Sequence, residues 1–339
     1  MVKTFNLSAN IENGFAEGMQ YLVTPNARNA IHNIVNDFKS GIHSFTIIGS
    51  YGTGKSSFLL ALESDLKKTG KQNYLLDARI LSDVKSFEIM NIVGDYTEMS
   101  TLLSKALNVE GNTNSILDNL KIHYNQCQKE GKFLLIVVDE FGKVLEHAAK
   151  NSPETELYFL QKLSELVNVP TRQMMLLTVL HQNFGAYAKG LTETQTNEWI
   201  KVKGRFKEIT FVEPVEQLLQ LASKQLKEER KINDANNIEP LYRLAKETGY
   251  VSNDFPLETA KQLFPLDSFS AYTITKAIQR YGQNERSLFT FLAAKGSNSI
   301  SEFEPAKQLT YNLQKVYDYI LYNFYSYLKD ANADSMSWS

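Results

Sequence analysis

Residues 49–56 read Gly-Ser-Tyr-Gly-Thr-Gly-Lys-Ser and combine three residue types that bind phosphate. Glycines let backbone amides turn inward around a phosphate group, because they have no Cβ to obstruct the approach. The ammonium of Lys55 would neutralise charge on the β- and γ-phosphates, and the hydroxyl of Ser56 is a suitable ligand for Mg²⁺. The pattern therefore predicts a site for ATP and Mg²⁺. The residues predicted to contact the nucleotide are Gly49, Ser50, Tyr51, Gly52, Thr53, Gly54, Lys55, Ser56 and Ser57.

The segments on either side of this loop are those that a phosphate loop requires. Residues 44–48 (SFTII) are rich in β-branched side chains and predict a short strand, and the apolar run that follows the loop predicts a helix. That helix would point its positive amino end at the phosphates. The alternative is a chance match in a flexible loop, and such a loop would not be expected to have a strand before it and a helix after it.

Two carboxylates, Asp139 and Glu140, follow the unbroken apolar run of residues 133–138 (FLLIVV). Such a run is typical of a strand buried on both faces of a parallel sheet, and we expect it to lie next to the strand that precedes the loop. Asp139 would then bind near Mg²⁺, and Glu140 would act as the general base that polarises the attacking water. The alternative is a strand that simply ends in a polar turn. The presence of Glu140 favours hydrolysis over nucleotide sensing alone.

The periodicity of the chain predicts the elements that position these residues. Strands are predicted at 44–48, 73–80, 133–138, 174–180 and 206–212, and helices at 25–39, after the loop, over 84–131 with a break at 111–114, and at about 153–167. Strands that alternate with helices favour an α/β fold, with a parallel sheet in a three-layer core. After Glu213-Pro214 the pattern over 215–295 is helical only, which indicates an all-helical lid domain.

These patterns predict four segments. They are an amino-terminal leader (1–24), an α/β ATPase core (25–213), a helical lid (214–300) and a carboxyl-terminal segment (301–339). Residues 308–328 of the last segment have apolar and aromatic side chains at helical spacing. That helix is either a dimerisation element or the start of a further domain cut short. Its tyrosines could stack on bases, but helical spacing favours burial in a core.

Beyond these motifs, the chain resembles the AAA+ superfamily of P-loop ATPases, in the branch of the origin-recognition and STAND-type proteins. In that family a polar residue after the strand corresponding to 174–180, called sensor 1, orients the attacking water or touches the γ-phosphate. His181 or Gln182 would take that role here, with Asn183 a third choice.

The same resemblance assigns roles to two arginines. Arg205, in the run Lys-Gly-Arg-Phe before the last strand, would be an arginine finger that reaches the ATP of a neighbouring subunit. Arg286, in the run 281–288, would be the sensor 2 arginine that folds over the γ-phosphate. The alternative for Arg205 is a surface arginine that pairs with an acidic residue, and the alternative for Arg286 is an ordinary solvated helix arginine. On this reading ATP lies in the cleft between core and lid, in a homo-oligomer or a partner-protein complex. From their position just before the first helix, Tyr21 to Thr24 are expected to line the adenine pocket.

Several runs are also similar to large ATPases of bacterial anti-phage defence islands, such as BREX-type ATPases. They are GSYGTGKSSFL, DEFGK, LHQNF, KGRFKEI and GQNERSLFTFL. This similarity implies a multi-domain parent that works on or senses DNA, although no residue pattern here predicts DNA binding. The function we expect is Mg-dependent ATP hydrolysis that drives conformational change or assembly. A STAND-type nucleotide-gated signalling switch with slow turnover is the alternative, and a small-molecule kinase fits poorly.

Composition limits the remaining classes. The formal net charge of −2 gives no overall attraction to nucleic acid or membrane, although a local basic face stays possible. A single cysteine, Cys127, allows no intrachain disulfide, and five scattered histidines predict no structural metal site. The amino terminus lacks the apolar run of a signal peptide, and no segment is as long as a membrane span. The expected location is the cytoplasm.

Overall fold

The computed structural model describes residues 21, 23–50, 53–67, 74–76, 81, 83–151, 153–229, 238–281, 288–293, 298–304 and 309–331. These residues form two compact units. The first comprises the described residues up to Gly49 and from Gly54 to Val212, and the second comprises Ser50, Thr53 and the described residues from Glu213 onward. Within the described part of the chain, no helix has the length and apolar character that crossing a membrane would need.

The first unit is built on a five-stranded sheet whose neighbouring strands are all parallel. Its strands are β1 (Ser44–Ile48), β2 (Ser86–Val93), β3 (Lys132–Asp139), β4 (Met174–Leu180) and β5 (Lys207–Thr210), in the order β2-β3-β4-β1-β5. The central strands are covered on both faces, which explains why β3 and β4 read as continuous apolar runs in the sequence.

Helices cover both faces of this sheet. They are α1 (Pro25–Lys39), α2 (Lys55–Lys67), α3 (Met99–Leu107), α4 (Thr113–Lys129), α5 (Phe141–Lys150), α6 (Pro153–Val167) and α7 (Glu193–Lys203), with a short 3₁₀ helix at Phe184–Ala188. Alternate residues of β3 enter different cores: Leu134 and Ile136 pack with α3 to α7, whereas Phe133 and Leu135 pack with α1 and α2. The predicted fold class, an α/β three-layer core with a parallel sheet, is confirmed.

One predicted strand was misplaced. We expected a strand at 73–80 and helix from residue 84, but β2 occupies Ser86–Val93. Of the expected strand, only residues 74–76 are described, and they are not in a strand. Short apolar runs fit helical and strand spacing equally well, and β2 is an edge strand interrupted by Glu88 and Asn91.

The position of the acidic strand was also predicted wrongly. We expected β3 to lie beside β1, but β4 lies between them. Parallel neighbours are joined by crossovers, so the chain order of strands does not define their order in a sheet. As a result, the end of β4 separates the loop from the acidic pair.

The second unit is helical in its described residues, apart from one isolated bridge between Leu266 and Tyr311. Its elements are α8 (Val215–Glu229), α9 (Ile238–Glu247), α10 (Leu257–Gln262), α11 (Ser268–Tyr281), α12 (Leu288–Ala293), a 3₁₀ turn at Ile300–Glu302 and α13 (Leu313–Ala331). Val316, Ile320 and Phe324 of α13 lie in the same core as the helices of 215–293. The aromatic helix that was set apart with 301–339 therefore packs into the helical unit.

A buried carboxylate holds the segment in which the misplaced strand was expected. Asp65 on α2 is 2% exposed and accepts hydrogen bonds from the backbone amides of Tyr74, Leu75 and Leu76 at 2.7, 2.6 and 3.1 Å. The carboxylate of Asp65 thus accepts hydrogen bonds from three backbone amides, which in a β-strand would have bonded to the backbone of a neighbouring strand.

We expect Asp65→Ala to reduce the free energy of unfolding by about 2–4 kcal/mol, because three amides lose a charged acceptor. Urea unfolding, followed by the fluorescence of the buried Trp199, measures the change. Hydrogen exchange at the amides of 74–76 should accelerate as well. Asp118→Ala removes an exposed aspartate from α4 and is the control, with an expected change below about 0.5 kcal/mol. Equal losses in the two variants would contradict the anchoring role.

Candidate functional site

The register of the central strands brings three chain segments to one edge of the sheet. Ile48 is level with Leu180, and Val138 is level with Thr178. The residues that follow β1, β3 and β4 therefore leave the sheet side by side. The amide of Gly49 donates to the carbonyl of Leu180 at 3.1 Å, which joins the start of the loop to the end of β4.

Lys55, the first residue of α2, is 5% exposed and donates from Nζ to the carbonyl of Gly49 at 2.5 Å. Burial lowers the pKa of Lys55 to about 8, while the negative charges of Asp139 and Glu140 oppose the shift. The ammonium is therefore largely protected from water and lies close to two carboxylates. A phosphate group that approached the ammonium would supply negative charge, and this charge would compensate for the hydration that Lys55 loses on burial.

The rest of the loop is partly described. Gly54 has φ +86°, a backbone conformation that L side chains rarely adopt, so glycine is required there. The hydroxyl of Thr53 donates to the carbonyl of Ser50 at 2.8 Å. Ser57 is half-buried on α2, whereas Tyr51 and Gly52 lie outside the described residues. The contacts that these residues were predicted to make with nucleotide stay predictions.

The side chains of Ser56 and Asp139 are in contact, although β4 lies between β3, which ends at Asp139, and β1, which precedes the loop. The hydroxyl of Ser56 donates to Oδ2 of Asp139 at 2.9 Å. Because neighbouring strands are about 4.8 Å apart, β1 and β3 are about 10 Å apart, and the loop and the start of α2 carry Ser56 across that distance. The other carboxylate oxygen of Asp139 accepts from the amide of Glu140 at 2.9 Å, which fixes the orientation of the carboxylate.

The chemistry of this pair fits a magnesium ion. Mg²⁺ is bound in proteins by a few oxygen ligands, together with water and phosphate oxygens. A hydroxyl and a carboxylate in direct contact, beside a buried ammonium, are the oxygen groups that such an ion would use. The fit concerns ligand type only.

Glu140 is placed by an unusual backbone conformation at the start of α5. Its φ is +54°, in the left-handed region, and its side chain turns towards the end of β4. His181 Nε2 lies 3.1 Å from Oε1 of Glu140, and Lys143 Nζ lies 4.0 Å from Oε2. The hydrogen bond from His181 lowers the pKa of Glu140, burial opposes this, and the charges of Lys143 and Lys55 lower it further. The carboxylate is therefore ionised near neutral pH.

The structure separates the three residues that the sequence left open after β4. His181 contacts Glu140 directly. Asn183 instead caps the 3₁₀ helix, because its Oδ1 accepts from the amide of Ala186 at 2.9 Å. Gln182 lies beside the phenol of Tyr187. His181 is thus the residue that the fold brings to the acidic pair.

Sequence reasoning missed Gly94, which follows β2. Its amide donates to the carbonyl of Asp139 at 2.7 Å. A Cβ at this position would lie 2.3 Å from the carbonyl oxygen of Glu140 and 3.0 Å from that of Asp139. A lone glycine after an unrecognised strand gives no local signal of this contact.

Arg205 lies at the opposite edge of the sheet. Lys207 of β5 is level with Phe45, so Arg205 is level with His43, six residues before Gly49 along the chain. Asn168 joins these two positions, because it accepts from the amide of His43 at 2.8 Å and donates to the carbonyl of Arg205 at 3.1 Å.

The guanidinium of Arg205 pairs with Glu165 at 3.0 Å. At about 3.3 Å per residue, Arg205 is about 20 Å from the loop of its own chain. This distance is far beyond the length of its side chain. The other candidate arginine, Arg286, lies outside the described residues.

Residues proposed to line an adenine pocket lie at the same edge as the loop. Phe38, near the end of α1, packs on His43 and Phe133 at the amino ends of their strands, so the start of α1 lies at the opposite, carboxyl edge. Thr24 caps α1 by accepting from the amide of Ala27 at 3.0 Å, and Tyr21 packs edge-on against Tyr74. Their contact with a base stays a prediction.

No protein-family model matches the chain, and no curated protein matches its sequence. Solved structures match at low identity. The Aeropyrum pernix ORC2 protein, in ADPNP-ADP complexes, is 14% identical with a TM-score of 0.46, over 95% of this chain and 74% of that chain. C. elegans PCH-2 is 13% identical with a TM-score of 0.41, over 88% and 70%. Drosophila ORC bound to DNA is 13% identical with a TM-score of 0.37, over 96% and 75%. Similarity at this level does not assign the chain to a family.

We expect Gly94→Ala to destabilise the protein by about 1–3 kcal/mol, because the new methyl group would meet backbone atoms that have little freedom to move. Thermal unfolding measures the loss. Gly204→Ala is the control, since a Cβ there would make ordinary contacts at 3.5 Å. If Gly94→Ala unfolds at the same temperature as Gly204→Ala, the close approach to Glu140 is not a constraint.

Proposed function

We propose that the chain binds Mg-ATP through residues 49–56 and hydrolyses it, as a AAA+-like ATPase module. The observation that carries this proposal is the hydrogen bond between Ser56 and Asp139 beside the buried Lys55. Two groups far apart in the sequence meet where the phosphate loop needs its metal ligands. A loop that matched the phosphate pattern by chance would have no reason to contact a carboxylate on another strand.

Each residue at this edge has a proposed role in binding. Lys55 neutralises the β- and γ-phosphates, and amides of the loop surround the β-phosphate. Ser56 and Asp139 hold Mg²⁺, which when bound supplies positive charge that offsets the charge of the phosphates. The amino end of α2 adds its helix dipole to the same electrostatic field.

Glu140 is the proposed general base. Its carboxylate is ionised, is about one-third exposed and lies next to the Mg²⁺ ligand Asp139, so it can accept a hydrogen bond from a water at the γ-phosphate. His181 holds the carboxylate in one orientation through their 3.1 Å contact. The resemblance to AAA+ proteins assigns sensor 1 a different role, which is to orient the attacking water or to touch the γ-phosphate, and His181 beside the proposed base is a candidate for it.

Arg205 is proposed to act on the nucleotide of another copy. A guanidinium about 20 Å from its own loop cannot reach its own phosphates, so its proposed target is the nucleotide of a neighbouring copy. A homo-oligomer, or a complex with a partner protein, would then complete the site. Arg286 retains its proposed sensor 2 role as a prediction only.

A nucleotide-gated switch of the STAND type is the second candidate. The observation that favours it is the direct pairing of Glu140 with His181, since a base already engaged by another side chain polarises water less effectively. In that case ATP binding would drive assembly, and turnover would be slow. A role in DNA-related or anti-phage complexes, and a cytoplasmic location, stay predictions.

The proposal is tested by steady-state ATP hydrolysis at increasing protein concentration. Lys55→Ala should lose ATP binding, whereas Glu140→Gln should bind ATP and lose about 10²- to 10⁴-fold in kcat. Arg205→Ala should lose about 10³-fold in kcat while its Kd for ATP stays unchanged. Arg243→Ala, which removes another arginine from a surface ion pair, is the control.

The outcomes separate the candidates. Specific activity that rises with concentration, together with loss in Arg205→Ala, supports a site shared between copies. If specific activity does not change with protein concentration and Arg205→Ala keeps the wild-type kcat, the arginine-finger role of Arg205 is refuted. Tight ATP binding with very slow turnover, and assembly that Glu140→Gln locks, supports the switch. A protein that binds no ATP refutes the proposal.

The low pKa of Lys55 makes ATP binding depend on pH. With a pKa of about 8 in the free protein, Lys55 loses its proton as pH rises through 8, and the phosphates of bound ATP raise that pKa. Binding above pH 8 should therefore take up a proton, and the affinity should fall as pH increases. Calorimetry at pH 7 and pH 9, in buffers of different ionisation enthalpy, measures the uptake. Lys55→Arg, which stays protonated, should abolish it, and an affinity equal at both pH values would contradict the prediction.

A further inference from the structure

Tyr187 connects the two segments that carry Glu140 and His181, and neither the phosphate loop nor the acidic pair accounts for it. It lies on the 3₁₀ helix Phe184–Ala188 and is 6% exposed. Its phenol lies between the first turn of α5 and the residues that follow β4. A hydroxyl in this position contacts both segments at once.

On the α5 side, the phenol occupies space that a side chain would need. A Cβ on Gly142 would lie 2.4 Å from the phenol oxygen of Tyr187 and 2.9 Å from the ring carbon that bears it. Gly142 is two residues after Glu140, so the absence of its side chain lets the phenol approach the turn that presents the base.

On the β4 side, the phenol oxygen meets the polar residues next to Glu140. Burial raises the pKa of Tyr187 to about 12, and hydrogen bonds from the backbone of His181 and from Gln182 partly oppose the rise. The phenol thus stays neutral at physiological pH and lies beside the two residues predicted for sensor 1. One of them, His181, contacts the Glu140 carboxylate.

The helix that carries Tyr187 is itself held firmly. Asn183 caps its start, and the indole of Trp199 on α7 donates to the carbonyl of Phe184 at 3.0 Å. The rings of Phe184 and Trp199 also pack edge-on with their centroids 5.5 Å apart. A side chain can orient its neighbours only if its own position is fixed.

We propose that Tyr187 is a positioning residue that holds His181 and Gln182 in place against the Glu140 turn. This inference rests on the proposed ATPase function of the same site. In the part of the site that the structure describes, no hydrogen bond or ion pair joins Tyr187 to Lys55, Ser56 or Asp139, so its effect would pass through His181 and Gln182. The competing explanation is a tyrosine that only fills the core, and it predicts loss of stability without a specific loss of turnover.

Tyr187→Phe removes the phenol oxygen and keeps the ring. We expect kcat to fall about 10- to 100-fold, as is common when a polar group that supports active-site residues is removed, while the Kd for ATP changes less than about 2-fold. Tyr124→Phe is the matched control. Tyr124 is also buried, and its oxygen accepts from the amide of Gln173 at 3.2 Å, at the amino-terminal edge of the sheet.

A double-mutant cycle distinguishes positioning from packing. If Tyr187 acts through His181, Tyr187→Phe should change kcat less than about 2-fold in a His181→Ala background. The same factor lost in both backgrounds, or a kcat no lower than that of Tyr124→Phe, would overturn the inference while the ATPase proposal stands. Absence of turnover in the wild type would instead refute the ATPase proposal.

A second measurement does not need turnover. In protein labelled with ¹⁵N and ¹³C at histidine, Tyr187→Phe should shift the imidazole resonances of His181, and Tyr124→Phe should leave them unchanged. Unshifted His181 resonances in Tyr187→Phe would overturn the positioning role, whether or not the protein hydrolyses ATP.

Discussion

The contact between Ser56 and Asp139 crosses a whole strand, and the arrangement of the α/β core follows from that requirement. β4 separates the loop strand from the acidic strand, so α2 must begin above β4 for the two oxygens to meet at 2.9 Å. The central strands must also be fixed in register. Buried hydroxyls of Thr46 and Thr178, 2.8 Å apart, pair within the sheet, and Thr178 also donates to the carbonyl of Phe45. A shift of one residue would turn these hydroxyls to opposite faces of the sheet.

The strand inserted between loop and acidic pair also explains the place of His181. A residue directly after β4 lies between the groups that follow β1 and β3, and so it can reach either. If β3 lay directly beside β1, a residue that follows β4 would not lie between the loop and the acidic pair. The strand order was mistaken because sheet order is not encoded in local sequence, and the contact of His181 with Glu140 could not be predicted without that order.

Local chemistry made the loop, the acidic pair and most elements predictable. The bounds of α1, β1 and β4 follow from periodicity and from the Thr24-Pro25 start signal, all of which a short window contains. The residues that sequence missed act over long separations. Gly94 is required by the carbonyl of Glu140, and Gly142 by the phenol of Tyr187, so each glycine has meaning only once its partner is placed. Asp65 likewise binds amides in a segment that read as a strand.

The electrostatics of the site favour binding over unassisted hydrolysis. Lys55 is buried close to two carboxylates, and its lowered pKa shows that desolvation exceeds their stabilising effect. A phosphate bound beside Lys55 would compensate for the hydration that the ammonium loses on burial, so the proposed binding would need only groups of this chain. Charge that develops on the γ-phosphate during hydrolysis needs a further cation. Among the described arginines, Arg205 is the one that the family resemblance would assign, and it is about 20 Å from the loop of its own chain. On the proposed function, such a chain would bind nucleotide alone and depend on a neighbour for fast turnover, so that assembly would control the rate of hydrolysis.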